Sequence, residues 1–320
     1  AGWTAKDCDY LCDGTNDQVE IQQALNALPA TGGEVVILDG TYNITASINI
    51  PKNNVSLRGN GNATILKRMY NSTSAEGLIT LNEKSGCKIQ GLQIDGNKAT
   101  YASSYNYGIY LYSSSNNTIT DNTCNNSRYD GISLSSSSNN TVTGNACNNN
   151  TFGISLDSSS NNNTITGNTC NNSSSGILLD SSSNNTITGN TCNNNYSGID
   201  LYSSSNNTIT GNTCNNNSFG IYLYSSSNNT VTGNACNNNI NGIYLYSSSN
   251  NTVTGNTCIR GTGRTSDYSS DQYTIRLQGT SNYNLISSNN CMGKAVVIEG
   301  GTGNSAWGNK FDNTDNLPKT

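Results

Sequence analysis

The chain has 320 residues, of which 32% are hydrophobic and 11% charged, with a net charge of −5 and no histidine. So few cations exclude the basic stripe that a nucleic-acid backbone requires, and no segment reaches the ~20 apolar residues of a membrane span. The polar mass is Asn, Ser, Thr and Gly rather than charge, which separates this chain from disordered polyelectrolytes and suits an ordered solenoid.

The sequence opens Ala1-Gly2 without an initiator Met, which reads as a mature form left by removal of a secretory signal. Eleven cysteines fit the same secreted, extracellular or cell-surface setting. Residues 1–34 read as a cap. Cys8 and Cys12 lie in an Asp- and Gly-rich segment, and two pairings stand: a local disulfide, or a bond to another chain, since the cysteine total is odd. Asp17 is the expected N-cap of an amphipathic helix carrying Val19, Ile21, Ala24, Leu25 and Leu28, ended by Pro29 and Gly32-Gly33. Residues 35–107 read as irregular coils with short strands at Val35–Leu38, Val55–Leu57, Leu78–Leu81 and Leu92–Ile94.

Residues 108–320 hold regular repeats and C-terminal coils. A unit G-I-x-L-x-S-S-S-N-N-T-[I/V]-T-G-N-x-C-N-N-N recurs every 22 or 23 residues from Gly108, Gly131, Gly153, Gly176, Gly198, Gly220 and Gly242. Ile109 and Leu111 alternate with Tyr110 and Tyr112, the period of a strand with one buried face. Ser113 to Asn117 is a turn, Thr118-Ile119-Thr120 a second strand, and Thr123-Cys124 a third. Three strands and three turns per unit predict an all-β, single-stranded parallel β-helix of three sides, about 22 residues per coil, with a short N-terminal capping helix. Two divergent coils follow, at Tyr273–Leu277 and Ala295–Ile298, with Arg260–Gln272 inserted as a loop. Trp307 and Phe311 are expected to cover part of the final coil. The chain ends Leu317-Pro318-Lys319-Thr320, which resembles the product of sortase cleavage; a natural end is the simpler reading.

Stacked identical turns place identical side chains above one another, and Asn suits this because its amide both donates and accepts. Ladders are expected at Asn117, Asn140, Asn163, Asn185, Asn207, Asn229 and Asn251, and at Asn122, Asn145, Asn168, Asn190, Asn212, Asn234 and Asn256. The same composition creates sequons, and Asn43, Asn71, Asn116 and Asn206 are candidate glycosylation sites. Cys124, Cys147, Cys170, Cys192, Cys214, Cys236 and Cys258 form one inward column. In-register side chains point the same way and fit a disulfide dihedral poorly, which favours buried thiols over bonds between coils. A file of thiols is not a tetrahedral metal cluster, so no metal, cofactor or catalytic residue is expected. Tyr110, Tyr222 and Tyr244 share one outward column, and Tyr112, Tyr202, Tyr224 and Tyr246 another, interrupted by Ser133, Ser155, Asp157 and Asp180. This aromatic face suits association first and sugar stacking second.

The segment Asp13-Gly14-Thr15-Asn16-Asp17, its helix, and Gly32 to Tyr42 resemble the cap of the pectate-lyase-like superfamily. The repeats are similar to the right-handed parallel β-helix repeats of NosD-type proteins and of archaeal surface-layer or sheath proteins. The resemblance implies a right-handed helix and leaves activity open. Polygalacturonase-like members use clustered Asp with a His, which this chain lacks, and pectate lyases use an acidic calcium cluster with an Arg base. Here Asp157 and Asp180, with Asp200 nearby, have no basic companion. The lead expectation is therefore a non-enzymatic structural subunit of a cell-surface layer, sheath or fibre whose partners are copies of itself. The alternative is a polysaccharide-binding or polysaccharide-cleaving β-helix with glycan partners. A NosD-like metal role ranks last, for want of His or a Met-rich site.

Overall fold

A computed structural model describes residues 3–103, 105–259 and 272–311. The inserted segment 260–271 and the terminal Leu317–Thr320 lie outside the described residues. The chain divides into two compact units, Ala1–Thr164 and Ile165–Thr320. The compositional boundaries at 34 and 107 mark no compact unit, because each coil of a solenoid packs on its immediate neighbours.

The first unit begins with the helix Gln18–Ala27, which buries Ile21 and Leu25 over the first coils. Asp17 occupies the N-cap position but makes no capping hydrogen bond. Its carboxylate instead accepts from the Gly14 and Asn43 amides at 2.7 and 2.6 Å. Val19 is exposed rather than part of the packed face. Behind the helix, parallel strands form two walls. One runs through Gly33–Val36, Val55–Arg68, Lys88–Asp95, Thr118–Thr120 and Thr141–Thr143. The other runs through Ile48–Asn49, Glu76–Asn82, Asn106–Tyr112, Asp130–Ser135 and Phe152–Asp157.

The second unit repeats this plan. Ser175–Asp180, Ser197–Tyr202, Phe219–Tyr224, Asn241–Tyr246, Tyr273–Gln278 and Val297–Ile298 form a long-strand wall. Thr186–Thr188, Thr208–Thr210, Thr230–Thr232, Thr252–Thr254, Leu285–Ser287 and Ser305–Trp307 form a short-strand wall. The third side is thinner than the sequence suggests. It consists of single bridges such as Thr191↔Thr213 and Thr213↔Ala235. The interior of each unit is columns of Ile, Leu and Val with no solvent exposure. Trp307 and Phe311 do not cover the last coil; Trp307 is 60% exposed.

Each coil bends where the backbone enters the left-handed region, at Ser203 (φ 49°), Asn206 (59°), Gly211 (64°) and Asn216 (59°) in one coil. Asn and Gly tolerate that conformation at the least steric cost, which is why they fill the turns. The ladders join coil to coil. Asn212 Oδ1 accepts from both the backbone and side-chain nitrogens of Asn190, at 2.9 and 3.0 Å. Its Nδ2 donates to Ile187 O and to Asn234 Oδ1, at 2.9 and 3.0 Å. Asn207 and Asn229 continue the other ladder at 2.8 Å. Two further columns, not anticipated from sequence, do the same work: Asn195, Asn217 and Asn239, and Ser204, Ser226 and Ser248.

The strand-opening glycine and the cysteine belong together. A Cβ on Gly198 would lie 2.5 Å from Gly220 O and 2.9 Å from Cys214 Cβ, so the glycine column leaves room for little more than a cysteine opposite. All seven column cysteines are free thiols with no appreciable exposure. Burial pushes the Cys214 and Cys236 thiols well up, keeping them protonated.

Three stability outcomes follow from this packing. Asn212→Ala strands several buried donors and acceptors and should cost about 2–4 kcal/mol, given roughly 1–3 kcal/mol per unsatisfied group. The exposed, left-handed Asn206→Gly should stay within about 0.5 kcal/mol. Gly198→Ala should cost about 1–3 kcal/mol by overpacking. Denaturation midpoints followed by circular dichroism measure all three.

Candidate functional site

The outward positions of the long-strand walls carry Tyr110, Tyr112, Asp157, Asp180, Asp200, Tyr202, Tyr222, Tyr224, Tyr244 and Tyr246, because the inward positions are spent on Ile and Leu. In the first unit, register places Ser133 beside Tyr110 and Ser135 beside Tyr112. On the next coil, Ser155 and Asp157 follow in the same columns. The tyrosine columns thus give way to small side chains. Tyr107 stacks on Tyr110 at 4.9 Å and meets Tyr129 edge-on at 5.2 Å. Tyr129 in turn meets Phe152 at 5.6 Å.

Asp130 lies among these groups, 1% exposed. Ser155 Oγ donates to its Oδ2, while its Oδ1 has no partner among the described residues. Burial pushes this carboxyl up to about 7, against the help of Ser155 and Ser133 and with a further push from Asp157. Asp157 accepts from Ser135 Oγ at 2.6 Å. Arg68, fully buried, holds the start of the tyrosine strand. Its guanidinium donates to Tyr107 O at 2.6 Å, Ser72 Oγ at 3.0 Å and Asn106 Oδ1 at 3.3 Å.

In the second unit the order is reversed, with acids preceding tyrosines. Register pairs Asp180 with Tyr202, and Asp200 with Tyr222. From there two tyrosine files run on. Tyr202, Tyr224 and Tyr246 stack at 5.0 and 5.4 Å with interplanar angles of 4° and 5°. Tyr222 and Tyr244 stack at 5.1 Å and 7°. Arg276 closes the second file, 5.4 Å from the Tyr244 centroid, and is itself paired with Glu299 at 2.6 Å. Asp200 is largely buried, and desolvation pushes it up to about 6 although Ser175 Oγ donates to it at 3.4 Å. Tyr196 is 61% exposed and packs edge-on against Phe219 at 5.3 Å.

This geometry changes the meaning of the tyrosine face. Within a file the rings spend their faces on one another and turn edges and hydroxyls outward. Tyr110 and Tyr244 are 8% and 7% exposed, so they offer little to a partner. Files end against smaller polar side chains where they meet Ser or Asp: at Tyr110 and Tyr112 in the first unit, and at Tyr202 and Tyr222 in the second, with Tyr107 stacked on Tyr110 and Phe219 on Tyr222, each at 4.9 Å. Asp157 belongs to the first of these steps, and Asp180 and Asp200 to the second. Asp130 was not foreseen from sequence. Its signal is an Asp one residue before a strand-opening glycine, in a strand whose outward positions are otherwise Ser.

The cap holds a second cluster. Ligating atoms of Cys12, Asp17 and Glu20 lie within 4.8 Å of one another beside a cavity of about 780 Å³. Cys12 is pushed up to about 12 by burial and by Asp17 and Glu20. The structure does not join Cys8 to Cys12. Cys8 Sγ donates to Thr4 O at 3.5 Å and Cys12 Sγ to Asp17 O at 3.7 Å, each thiol satisfied locally by a different carbonyl. Of the sequon asparagines, Asn71, Asn116 and Asn206 are exposed and Asn43 is half-buried.

Comparison with curated proteins gives no match. A family described as right handed beta helix region matches residues 35–191. Among solved structures, the chain is similar to the A-module of the Azotobacter vinelandii mannuronan C-5 epimerase AlgE4, at 19% identity and a TM-score of 0.74. That match covers 96% of this chain and 99% of that one. It is similar to the Dettilon tailspike protein at 18% identity and a TM-score of 0.76, over 94% of this chain and 65% of that one. It is also similar to the periplasmic alginate epimerase AlgG, at 17% identity and a TM-score of 0.56, over 95% and 90%. These likenesses show the fold, a right-handed parallel β-helix. They also correct the expectation of a non-enzymatic chain: proteins named as epimerases are built on this fold. Residues 160–319, half of the chain, match the family described as periplasmic copper-binding protein (NosD), and the chain belongs to that family.

Proposed function

We propose that the protein binds an extended polysaccharide along the long-strand wall of its second unit, with the step from acids to tyrosines as the main subsite. The observation that carries this reading is the register of Asp180 with Tyr202 and of Asp200 with Tyr222. An open ring face next to a carboxyl is what a sugar needs, since its C–H face packs on an aromatic ring while its hydroxyls bond to polar groups at the rim. The epimerase and tailspike neighbours support polysaccharide over the self-assembling surface subunit. So does the burial of Tyr110 and Tyr244, which removes part of the association face. The charge balance favours a neutral sugar polymer. Both acids lie at the step, and the nearby cation Arg276 is occupied by Glu299. Asp200 keeps its proton up to about pH 6 and can hand it to a sugar oxygen. The periplasmic description of the family supports a location outside the cytoplasm.

The copper in the family's description does not fit this chain. The matched region contains no His. Its cysteines among the described residues are buried in single file, Cys291 following Cys258 in the register set by Thr257↔Asn290, and Met292 has no second thioether beside it in the sequence. Burial pushes Cys291 up to about 12. Thiols sealed inside the coil in single file offer no open coordination geometry.

Affinity electrophoresis in gels containing neutral polysaccharides or polyuronates tests the reading. Retardation by a neutral polymer is expected, with Tyr202→Ala weakening binding about tenfold, equivalent to ~1.4 kcal/mol, and Tyr283→Ala leaving it unchanged. No retardation by any polymer would overturn the proposal. Chromatography of the bound polymer reads whether it is also modified. A separate pH measurement checks Asp130. Its folded value lies above the unfolded 3.8, so the folded chain holds the proton that the unfolded chain releases. Stability should fall as pH rises from about 4 to about 7, by about 4 kcal/mol, and level off above. Asp130→Asn should remove that contribution in pH-dependent denaturation, leaving the fall that Asp200 contributes between about pH 4 and 6.

A further inference from the structure

We propose that the exposed asparagine at the first turn of the regular coils forms a row of N-glycan acceptors. In the first unit the row is Asn116, Asn139 and Asn162; in the second it is Asn184, Asn206, Asn228 and Asn250. Each is followed by Asn-Thr, completing a sequon. Each is exposed and in the left-handed conformation, with φ between 58° and 60°.

The structure divides labour between the two asparagines of every Asn-Asn-Thr. The second is buried and committed to the ladder, as Asn207 is to Asn229, Ser182 and Ser205. The first joins the neighbouring coil through its backbone, as Asn206 N–H does to Ser227 O at 3.1 Å. Its side-chain amide has no hydrogen-bond partner among the described residues, and neither has the hydroxyl of the Thr two residues on. Both groups on which sequon glycosylation depends are therefore free at the same turn of every coil.

The sequon Asn195-Tyr196-Ser197 is the internal contrast. Asn195 is buried, its Nδ2 donates to Cys170 O at 3.0 Å, and its Oδ1 accepts from Ser173 N at 2.8 Å. A glycan there could not coexist with the coil, whereas one on the row leaves every ladder bond in place.

The co-reactant is a polyprenyl diphosphate-linked oligosaccharide. The asparagine Nδ2 attacks C1 of the first sugar, the N–C1 bond forms, the C1–O bond to the diphosphate breaks, and one amide proton leaves to base. No oxidation occurs. Stacked coils are about 4.8 Å apart, closer than two sugars can stand side by side, so consecutive coils cannot both carry glycans. The row lies at the corner that follows the tyrosine-bearing strand, and its glycans would form one bank of that wall.

The full chain, secreted from a host that glycosylates its own secreted proteins, would be treated with a glycan-releasing amidase in heavy-oxygen water. Each formerly occupied asparagine is thereby marked as labelled aspartate. Chymotryptic peptides are then read by mass spectrometry. The expected result is label on the row, no peptide labelled at two consecutive coils, and none at Asn195. Asn206→Gly, which keeps the turn, should lose only its own label. An unlabelled row, or Asn195 labelled as often as Asn206, would overturn the proposal.

Discussion

The structure depends on one hydrogen bond repeated through each unit: the side-chain carbonyl of an asparagine accepting the backbone N–H of the equivalent asparagine one coil before. A turn normally leaves its amides to water, and a stack of turns would bury them unpaired. The asparagine carbonyl replaces that water from within the protein, and its Nδ2 satisfies a carbonyl further back. Ladders of Asn and Ser therefore let the corners of the coil be buried without charge and without ordered water. This explains how a chain with so few hydrophobic residues encloses a fully buried interior. The glycine and cysteine columns answer the same constraint on the inside, where one wall approaches another too closely for a larger pair.

Once the corners and interior hold the fold, the outward positions of the long strands are free to vary, and they are where the repeats differ. Tyrosine files form where consecutive coils agree, and they stiffen the wall by stacking. Acids and serines interrupt them, and each interruption sets the end of a file beside polar groups. Asp130 and Asp200 show what the wall does to charge. Both carboxyls are partly or wholly withdrawn from water without a cation, so both hold their protons towards neutrality. Two carboxyls held in their neutral form suit an uncharged polymer, and the self-stacked rings suit the wall less to joining with copies of itself.

Much of this was legible in the sequence because period and physics coincide. Ile109 and Leu111 alternating with Tyr110 and Tyr112 give the strand and its faces, and a fixed Asn-Asn-Thr at each turn gives the ladders. The partners of Asp17 were not legible, since Asn43 reaches it from a strand that the sequence did not reveal. Asp130 was missed because its burial comes from Tyr107 and Ser155, residues distant in sequence and aligned only by coil register. The orientation of the tyrosines was missed for a related reason. Column membership says that Tyr222 and Tyr244 are neighbours, but not that they turn their faces to each other.

The most direct test of the account is hydroxyl-radical footprinting of the tyrosines with and without a retained polysaccharide. Protection of Tyr196, Tyr202 and Tyr222, with the turn residue Tyr283 still oxidised, is the predicted pattern. Equal protection of Tyr283, or none at Tyr202, would contradict the assignment of the long-strand wall as the functional face.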